Sequence, residues 1–180
     1  SVEPIVTSLL DPSAFSIREA RAALPVPFTP GEEYELPVQS LECPRGRYDI
    51  AWATHALYAV QPAELALATE RMLHAIGDEG VGVIAQSTED GHYVHFHELF
   101  LEAFDGDLSQ RYSSAEQVEA ALTAHGATVK TREISYDNGV PDTAHDEVEG
   151  FLQRCAFDDR FDLEAMSTQP PLAGYLASCL

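Results

Sequence analysis

The sequence predicts an α/β protein built on a mostly parallel, doubly wound sheet with helices on both faces. Short apolar segments bounded by turn residues alternate with amphipathic helical segments along most of the 180 residues. Two of the apolar segments, residues 5–10 and 50–53, end in polar residues, as strands of parallel units often do. In open sheets of this type a ligand binds at the carboxyl ends of the strands. Residues that directly follow a strand are therefore the first candidates for a functional site.

The chain opens with a strand and a helix. Residues 5–10 form a short apolar run that ends at Asp11. The turn that follows contains serines, and Ser13 or Ser16 can cap the helix predicted over 17–24. A loop is predicted next, because the segment contains four residues that interrupt regular structure: Pro25, Pro27, Pro30 and Gly31.

The middle of the chain alternates strand and helix. Residues 34–38 predict a weak strand, and a proline within it places that strand at a sheet edge. Residues 50–53 predict a continuous apolar strand of the kind that is buried on both faces. A helix over 61–76 and a second buried strand over 81–85 follow it.

The last part of the chain is mostly helical. A less regular region over 87–110 contains a predicted helix at 97–104. A capping box at 113–116 starts a helix that runs to residue 124. Residues 128–136 alternate as a strand does, and two further helices are predicted, over 146–157 and 174–180.

The charge balance argues against two classes of function. The chain has 30 acidic residues against 10 basic ones, for a formal net charge of -20. This field repels phosphate groups, so we expect neither nucleic-acid binding nor membrane binding as the main role. An acidic surface with a single lysine suits high salt, and a GC-rich genome explains the same composition equally well.

The sequence gives a simple expectation for location. No apolar run approaches the roughly 20 residues needed to span a bilayer, and no basic-then-apolar leader opens the chain. Three widely separated cysteines form neither a CxxC pair nor a zinc-binding spacing: Cys43, Cys155 and Cys179. We therefore expect a cytoplasmic protein with reduced thiols.

Several segments resemble class I S-adenosylmethionine-dependent methyltransferases. RYDIAWATHALYAV, residues 47–60, is similar to the fourth strand of that family and the segment after it. MLHAIGDEGVGVIAQ, residues 72–86, is similar to the helix, turn and strand that follow. The acid-Pro-Ser after the first strand and the Cys-containing helix GFLQRCAFDD, residues 150–159, resemble the histamine N-methyltransferase-like branch. The resemblance covers residues 5–160 and implies a single Rossmann-like domain over 1–180.

The resemblance implies S-adenosylmethionine as the cofactor. In this family the acid after the second strand binds the ribose hydroxyls, a role that falls to Asp11 with Pro12 beside it. Ser40 and Leu41 match the residues that flank the adenine, and Thr54 matches one that lines the cofactor. The alternative for Asp11 is an ordinary Asp-Pro-Ser turn that caps the next helix. For Ser40 and Leu41 it is an ordinary strand-to-loop transition.

The resemblance also implies a small-molecule methyl acceptor, an amine or another nucleophile. His55 and Tyr58 match the catalytic positions that face the acceptor, where His55 either receives a proton or orients the acceptor. The alternative is a histidine at a strand end and a tyrosine in the core. An insertion at about 87–112 corresponds to the acceptor pocket, and the residues implied for it are His92, Tyr93 and Phe96.

One part of the family pattern does not appear. The first strand and its GxGxG loop should precede residue 5. The chain is then either a piece of a larger polypeptide or a relative that has lost cofactor binding, and its sheet is incomplete at the N-terminus. Strands 5–10 and 50–53 should either pair directly or hold between them another segment, from a second copy in a homodimer or from a partner.

Two other functions stay open. The first is a catalytically inactive, methyltransferase-like interaction module, which the missing glycine loop favours. The second is a metal-binding protein that uses the histidines of GHYVHFHE, namely His92, His95 and His97. In a strand, His95 and His97 would share a face.

Overall fold

The structure is a computed structural model that describes residues 3–136, 139 and 144–179. Over these residues it is an α/β protein with four strands and seven α-helices. The strands are β1 (Ile5–Leu10), β2 (Phe28–Tyr34), β3 (Ile50–Thr54) and β4 (Val81–Ala85). The helices are α1 (Ala14–Ala23), α2 (Leu65–Ile76), α3 (His92–Ala103), α4 (Ala115–Ala124), α5 (His145–Ala156), α6 (Leu163–Thr168) and α7 (Leu172–Cys179). The chain divides into two compact units, residues 1–52 with 66–83 and residues 53–65 with 84–180.

Strands β1 and β2 form a parallel pair in the first unit. The predicted bounds of the first strand are confirmed. Ile5 donates its backbone N–H to the carbonyl of Pro27, and Asp11 donates to the carbonyl of Tyr34. Because peptide groups alternate in direction along a strand, those of Val6 face the opposite edge. Helix α1 follows, and its predicted serine cap is confirmed at Ser13.

The prediction of a strand over 34–38 is wrong. The strand lies earlier, and residues 38–40 form a short 3-10 helix after Pro37. Pro30 predicted a loop, yet it lies within β2, beside a β-bulge that shifts the register with β1. The carbonyl of Pro27 faces β1, so the nitrogen of Pro30 faces away and no ladder hydrogen bond is lost.

Strands β3 and β4 form a second two-stranded sheet. Val81 donates its N–H to the carbonyl of Asp49 at 2.9 Å, and His55 donates to the carbonyl of Ala85 at 2.8 Å. From the first hydrogen bond to the second, the residue number rises on both strands, so the pair is parallel. The prediction of strands at 50–53 and 81–85 is confirmed.

The expectation that β3 and β4 are buried on both faces is wrong. Ile50 is 58% exposed, Trp52 is 72% exposed and Val81 is 56% exposed, while Val6 on β1 is 73% exposed. Among the described residues, β1 has no strand neighbour except β2, and β3 has none except β4. Of the two arrangements predicted for these strands, direct pairing of β1 with β3 does not occur among the described residues. Sheets of two strands are too narrow to cover their own apolar side chains.

The core of the second unit is built around helix α3. This helix packs against α5 and α7, and α6 packs against both of those helices. The buried cluster draws one or more side chains from each of the four helices: Phe96, Phe100, Leu152, Cys155, Ala156, Met166, Leu172 and Leu176. The predicted capping box of α4 is present one residue later than expected, between Ser114 and Gln117.

The remaining secondary-structure predictions for the second unit are partly confirmed and partly wrong. Residues 128–136 form no strand. The helix predicted over 97–104 begins instead at His92, so the histidines lie on a helix and not on a strand. The helix predicted over 146–157 is confirmed as α5, and the one predicted over 174–180 is confirmed as α7 up to Cys179, while residue 180 lies outside the described residues. Within the described ranges, every helix is too short or too polar to cross a lipid bilayer.

Candidate functional site

His55 lies directly after β3 with a left-handed backbone, at φ 50°. This conformation is uncommon outside glycine, although histidine adopts it more readily than most residues. The N–H of His55 donates to the carbonyl of Ala85, which holds the residue against the end of β4. The side chain is exposed, and its ring stacks on Tyr58 and Tyr93 with centroids 5.8 and 5.5 Å away. The imidazole at the end of β3 therefore lies against two tyrosine rings.

A chain of hydrogen bonds connects His55 to the backbone that follows β4. The hydroxyl oxygen of Tyr58 accepts the N–H of Ser87 at 2.8 Å and lies 2.8 Å from Nδ1 of His55. Tyr58 sits on a one-turn 3-10 helix and is only 4% exposed. Burial raises the pKa of its hydroxyl to about 12. The group is therefore protonated at neutral pH and has one hydrogen to donate.

Tyr58 belongs to a larger stack of aromatic rings in the second unit. Its ring lies 5.6 Å from that of Tyr93, nearly parallel to it, and 5.3 Å from that of Tyr112. Tyr112 is buried, and its hydroxyl donates to the carbonyl of Cys155 at 2.9 Å. Ring faces of this kind carry partial negative charge and attract cations. We call Tyr58, Tyr93 and Tyr112 the tyrosine stack.

His92, one of the residues implied for the acceptor pocket, is held by aromatic contacts. Its Nδ1 lies 2.8 Å from the hydroxyl of Tyr175, and its ring stacks on Phe96 and Phe151. Burial, with a smaller contribution from His95, lowers the pKa of His92. Phe96 is fully buried in the core, so it supports the ring of His92 and has no surface of its own for a ligand.

His97 is the buried histidine of α3. Its ring stacks on Tyr112 with centroids 3.6 Å apart, and Nδ1 has no hydrogen-bond partner within the described chain. Burial lowers the pKa of His97 to about 4. It is therefore a neutral, packed ring. The described residues contain no group of three or more His, Cys, Asp or Glu side chains that could hold a metal ion.

The residues implied for the cofactor lie mostly in the first unit. Asp11 follows β1, and its Oδ1 accepts the N–H of Ser13 at 2.8 Å, so the Asp-Pro-Ser turn predicted as the alternative is present. This turn uses one of the two carboxylate oxygens of Asp11. Ser40 ends the 3-10 helix and Leu41 follows it as a buried residue, six and seven positions beyond the end of β2. Thr54 is the last residue of β3.

Sequence reasoning missed several residues of these arrangements. Ser87 and Tyr112 approach Tyr58 from distant parts of the chain, and Phe151 and Tyr175 approach His92 in the same way. No local pattern marks them, because their neighbours are fixed by helix packing.

In the first unit, the carboxylate of Glu32 accepts hydrogen bonds from the hydroxyls of Tyr34 and Tyr48. These bonds lower the pKa of Glu32, and the bond from Tyr34 has the larger effect.

Comparison with known proteins found no matching family model, no similar curated protein and no similar solved structure. The assignment of chemistry therefore rests on the side chains themselves. Two features carry the most chemical information, the carboxylate that follows β1 and the imidazole that follows β3.

Proposed function

We propose that this chain carries out S-adenosylmethionine-dependent methyl transfer to a small-molecule acceptor. One observation carries the proposal. Two parallel strand pairs place an acid directly after β1 and a histidine directly after β3, and open α/β sheets bind ligands at such carboxyl ends. Two of the segments that resemble the methyltransferase family, the acid-Pro-Ser after β1 and residues 47–60, lie at these same strands.

The proposal includes a complete, doubly wound sheet. We propose that a further strand lies between β1 and β3, so that the strand order becomes β2, β1, the further strand, β3, β4. The exposed apolar side chains on both sheets support this arrangement, among them Val6 and Ile50. The additional strand would come from a partner segment or from a second copy of the chain.

The roles of the cofactor residues follow from their chemistry. A carboxylate can accept two hydrogen bonds from the ribose hydroxyls, and Asp11 has one oxygen beyond the one that its turn uses. Pro12 stiffens that turn. Thr54 would line the cofactor from the end of β3. Ser40 and Leu41 would contact the adenine from the loop after β2.

The acceptor residues form the second half of the proposal. Transfer from a sulfonium is an in-line displacement, so catalysis consists mainly of positioning. Tyr93, the half-buried member of the tyrosine stack, would offer its ring to an ammonium group, and the net charge of -20 attracts cationic amines. His55 would orient the acceptor, and His92 and Tyr93 would contact it.

Titration calorimetry with S-adenosylmethionine tests the proposal. We expect saturable binding to one site, with adenosine binding more weakly because it lacks the methionine part. Transfer of a labelled methyl group to members of an amine panel would then identify the acceptor. A chain that is folded by circular dichroism but gives no binding heat is not a methyltransferase.

A second candidate function is a methyltransferase-like interaction module. The exposed strand residues favour it, because apolar side chains at the edge of a narrow sheet are typical of surfaces that bind another chain. This function predicts no cofactor binding and a stable complex with a strand-forming segment. Calorimetry therefore separates it from the enzyme.

A further inference from the structure

The hydrogen bonds around Tyr58 have a defined direction. The backbone N–H of Ser87 can only donate, so the oxygen of Tyr58 is the acceptor in that contact, at 2.8 Å. The hydroxyl retains its single hydrogen. The nitrogen Nδ1 of His55 lies 2.8 Å from the same oxygen and can accept that hydrogen.

The reverse direction is less favourable. It would require Nδ1–H of His55 to donate to an oxygen that already accepts from Ser87. The hydrogen of Tyr58 would then be used in neither contact, inside a residue that is 4% exposed. A buried donor without an acceptor costs more than the hydrogen bond it replaces. With a pKa of about 12, Tyr58 does not resolve the conflict by losing its proton.

We infer that Tyr58 is a positioning residue that holds His55 as the Nε2–H tautomer, so that His55 offers an N–H donor to a bound acceptor molecule and does not act as a base. The description of that ligand as an acceptor molecule rests on the proposed function. The tautomer itself rests only on the contacts of Tyr58.

The backbone supports the same role for His55. Its left-handed φ of 50° and its N–H bond to Ala85 fix where the side chain leaves the strand end. The ring then lies against Tyr93. With Nδ1 occupied by Tyr58, Nε2 is the ring nitrogen left for a ligand. A fixed donor of this kind costs little ordering entropy on binding.

The tautomer sets the class of molecule that can be methylated. During transfer the lone pair of the acceptor nitrogen forms the new bond to the methyl carbon, and the electron pair of the breaking C–S bond goes to sulfur. That lone pair cannot also accept a hydrogen bond from His55. The molecule must therefore carry a second acceptor atom, and the net charge of -20 favours a neutral one such as a carbonyl, hydroxyl or ether oxygen. An amine that binds as an ammonium ion would first lose a proton to solvent, which frees the lone pair, and the methylated nitrogen would lose its surplus proton to solvent after transfer.

Long-range proton–nitrogen NMR of the full chain at about pH 8, where histidine is normally neutral, reads the tautomer directly. We expect Nδ1 of His55 to be unprotonated and Nε2 to carry the hydrogen. Tyr58→Phe keeps the ring and should return His55 to a mixture of tautomers. Tyr112→Phe is the matched control, because it removes a buried hydroxyl from the same stack without touching His55. A hydrogen on Nδ1 in the wild type, or an unchanged tautomer in Tyr58→Phe, overturns the inference.

A pair of amines tests the class of ligand. 2-Methoxyethylamine and butylamine differ by one ether oxygen in place of a methylene group. We expect the first to shift the Nε2 resonance of His55 more strongly. Equal shifts, or no shift from either amine, overturn the requirement for a second acceptor atom. Failure of the proposed function would be recognised separately, as absence of S-adenosylmethionine binding with the tautomer unchanged.

Discussion

The rings of His97 and Tyr112 lie face to face, parallel within 2° and 3.6 Å apart. Burial lowers the pKa of His97 from its ordinary value of 6.5 to about 4. Between these values the unfolded chain binds a proton that the folded chain does not. The free energy of unfolding should therefore fall as the pH drops from about 6.5 toward about 4, by up to about 3 kcal/mol from this residue.

The contribution of His97 can be isolated by substitution. His97→Phe keeps an aromatic ring on Tyr112 and removes the titration, so its unfolding free energy should depend less steeply on pH in that window. Denaturant unfolding at a series of pH values measures the slope. His145→Phe, at an exposed histidine, is the control and should leave the slope unchanged. Identical slopes for the wild type and His97→Phe would show that folding does not lower the pKa of His97.

Asp11→Asn should weaken binding of S-adenosylmethionine by about tenfold or more, because hydrogen bonds to a charged acceptor are the stronger ones. Asparagine can still accept the N–H of Ser13, so the turn after β1 is preserved. Calorimetry gives the affinity. Ser13→Ala, which removes the cap of α1 and costs about 1 kcal/mol of stability, should leave the affinity unchanged. If both variants lose affinity equally, the turn matters and the carboxylate does not.

His55→Gln should retain most of the methyl-transfer activity that His55→Leu loses. Glutamine keeps an N–H donor near the position of Nε2 but cannot act as a base, and the two replacements strain the left-handed backbone similarly. We expect about tenfold lower kcat/KM for the leucine variant, the effect of one lost hydrogen bond. Cofactor affinity should stay the same in both. Equal losses of activity in the two variants would favour the base instead.

Val6→Lys should reduce association through the open edge of β1. Val6 is 73% exposed, and its peptide group faces away from β2. Sedimentation at about 0.5 M salt, where charges are screened beyond about 4 Å, measures self-association without the general repulsion. Val26→Lys is the matched control, because that side chain is 93% exposed in the segment between α1 and β2. Equal effects of the two lysines would assign the change to charge rather than to the strand edge.

The sequence predicts strands well where the signal is local. The apolar run at 5–10 and the run before Thr54 both have the predicted positions, because a few β-favouring residues between turns are sufficient to define a short strand. Burial of these strands could not be predicted, since it depends on which strands lie on either side. The loop predicted at Pro30 was wrong for a related reason. A proline removes no ladder hydrogen bond when its nitrogen faces away from the neighbouring strand, and its sequence does not show which way it faces.

Some residues of the candidate site could likewise be predicted from the sequence, and others could not. His55 and Asp11 could be found because each is a polar residue directly after an apolar strand. The partners of His55 could not, because Ser87 is separated from Tyr58 by 29 positions in the chain. The helical position of His92 was missed because GHYVHFHE contains residues that favour both helix and strand. In the structure this segment forms helix α3, which packs against α5 and α7.

Among the described residues, the edge of β1 that faces away from β2 pairs with no other strand, and this has a consequence for the colloidal behaviour of the isolated chain. A bare strand edge is a template on which identical copies can aggregate. The net charge of -20 keeps copies apart in dilute buffer. Added salt removes that barrier and leaves the edges unchanged. The isolated chain should therefore become less soluble as salt rises, whereas a chain with a covered edge would tolerate the same conditions.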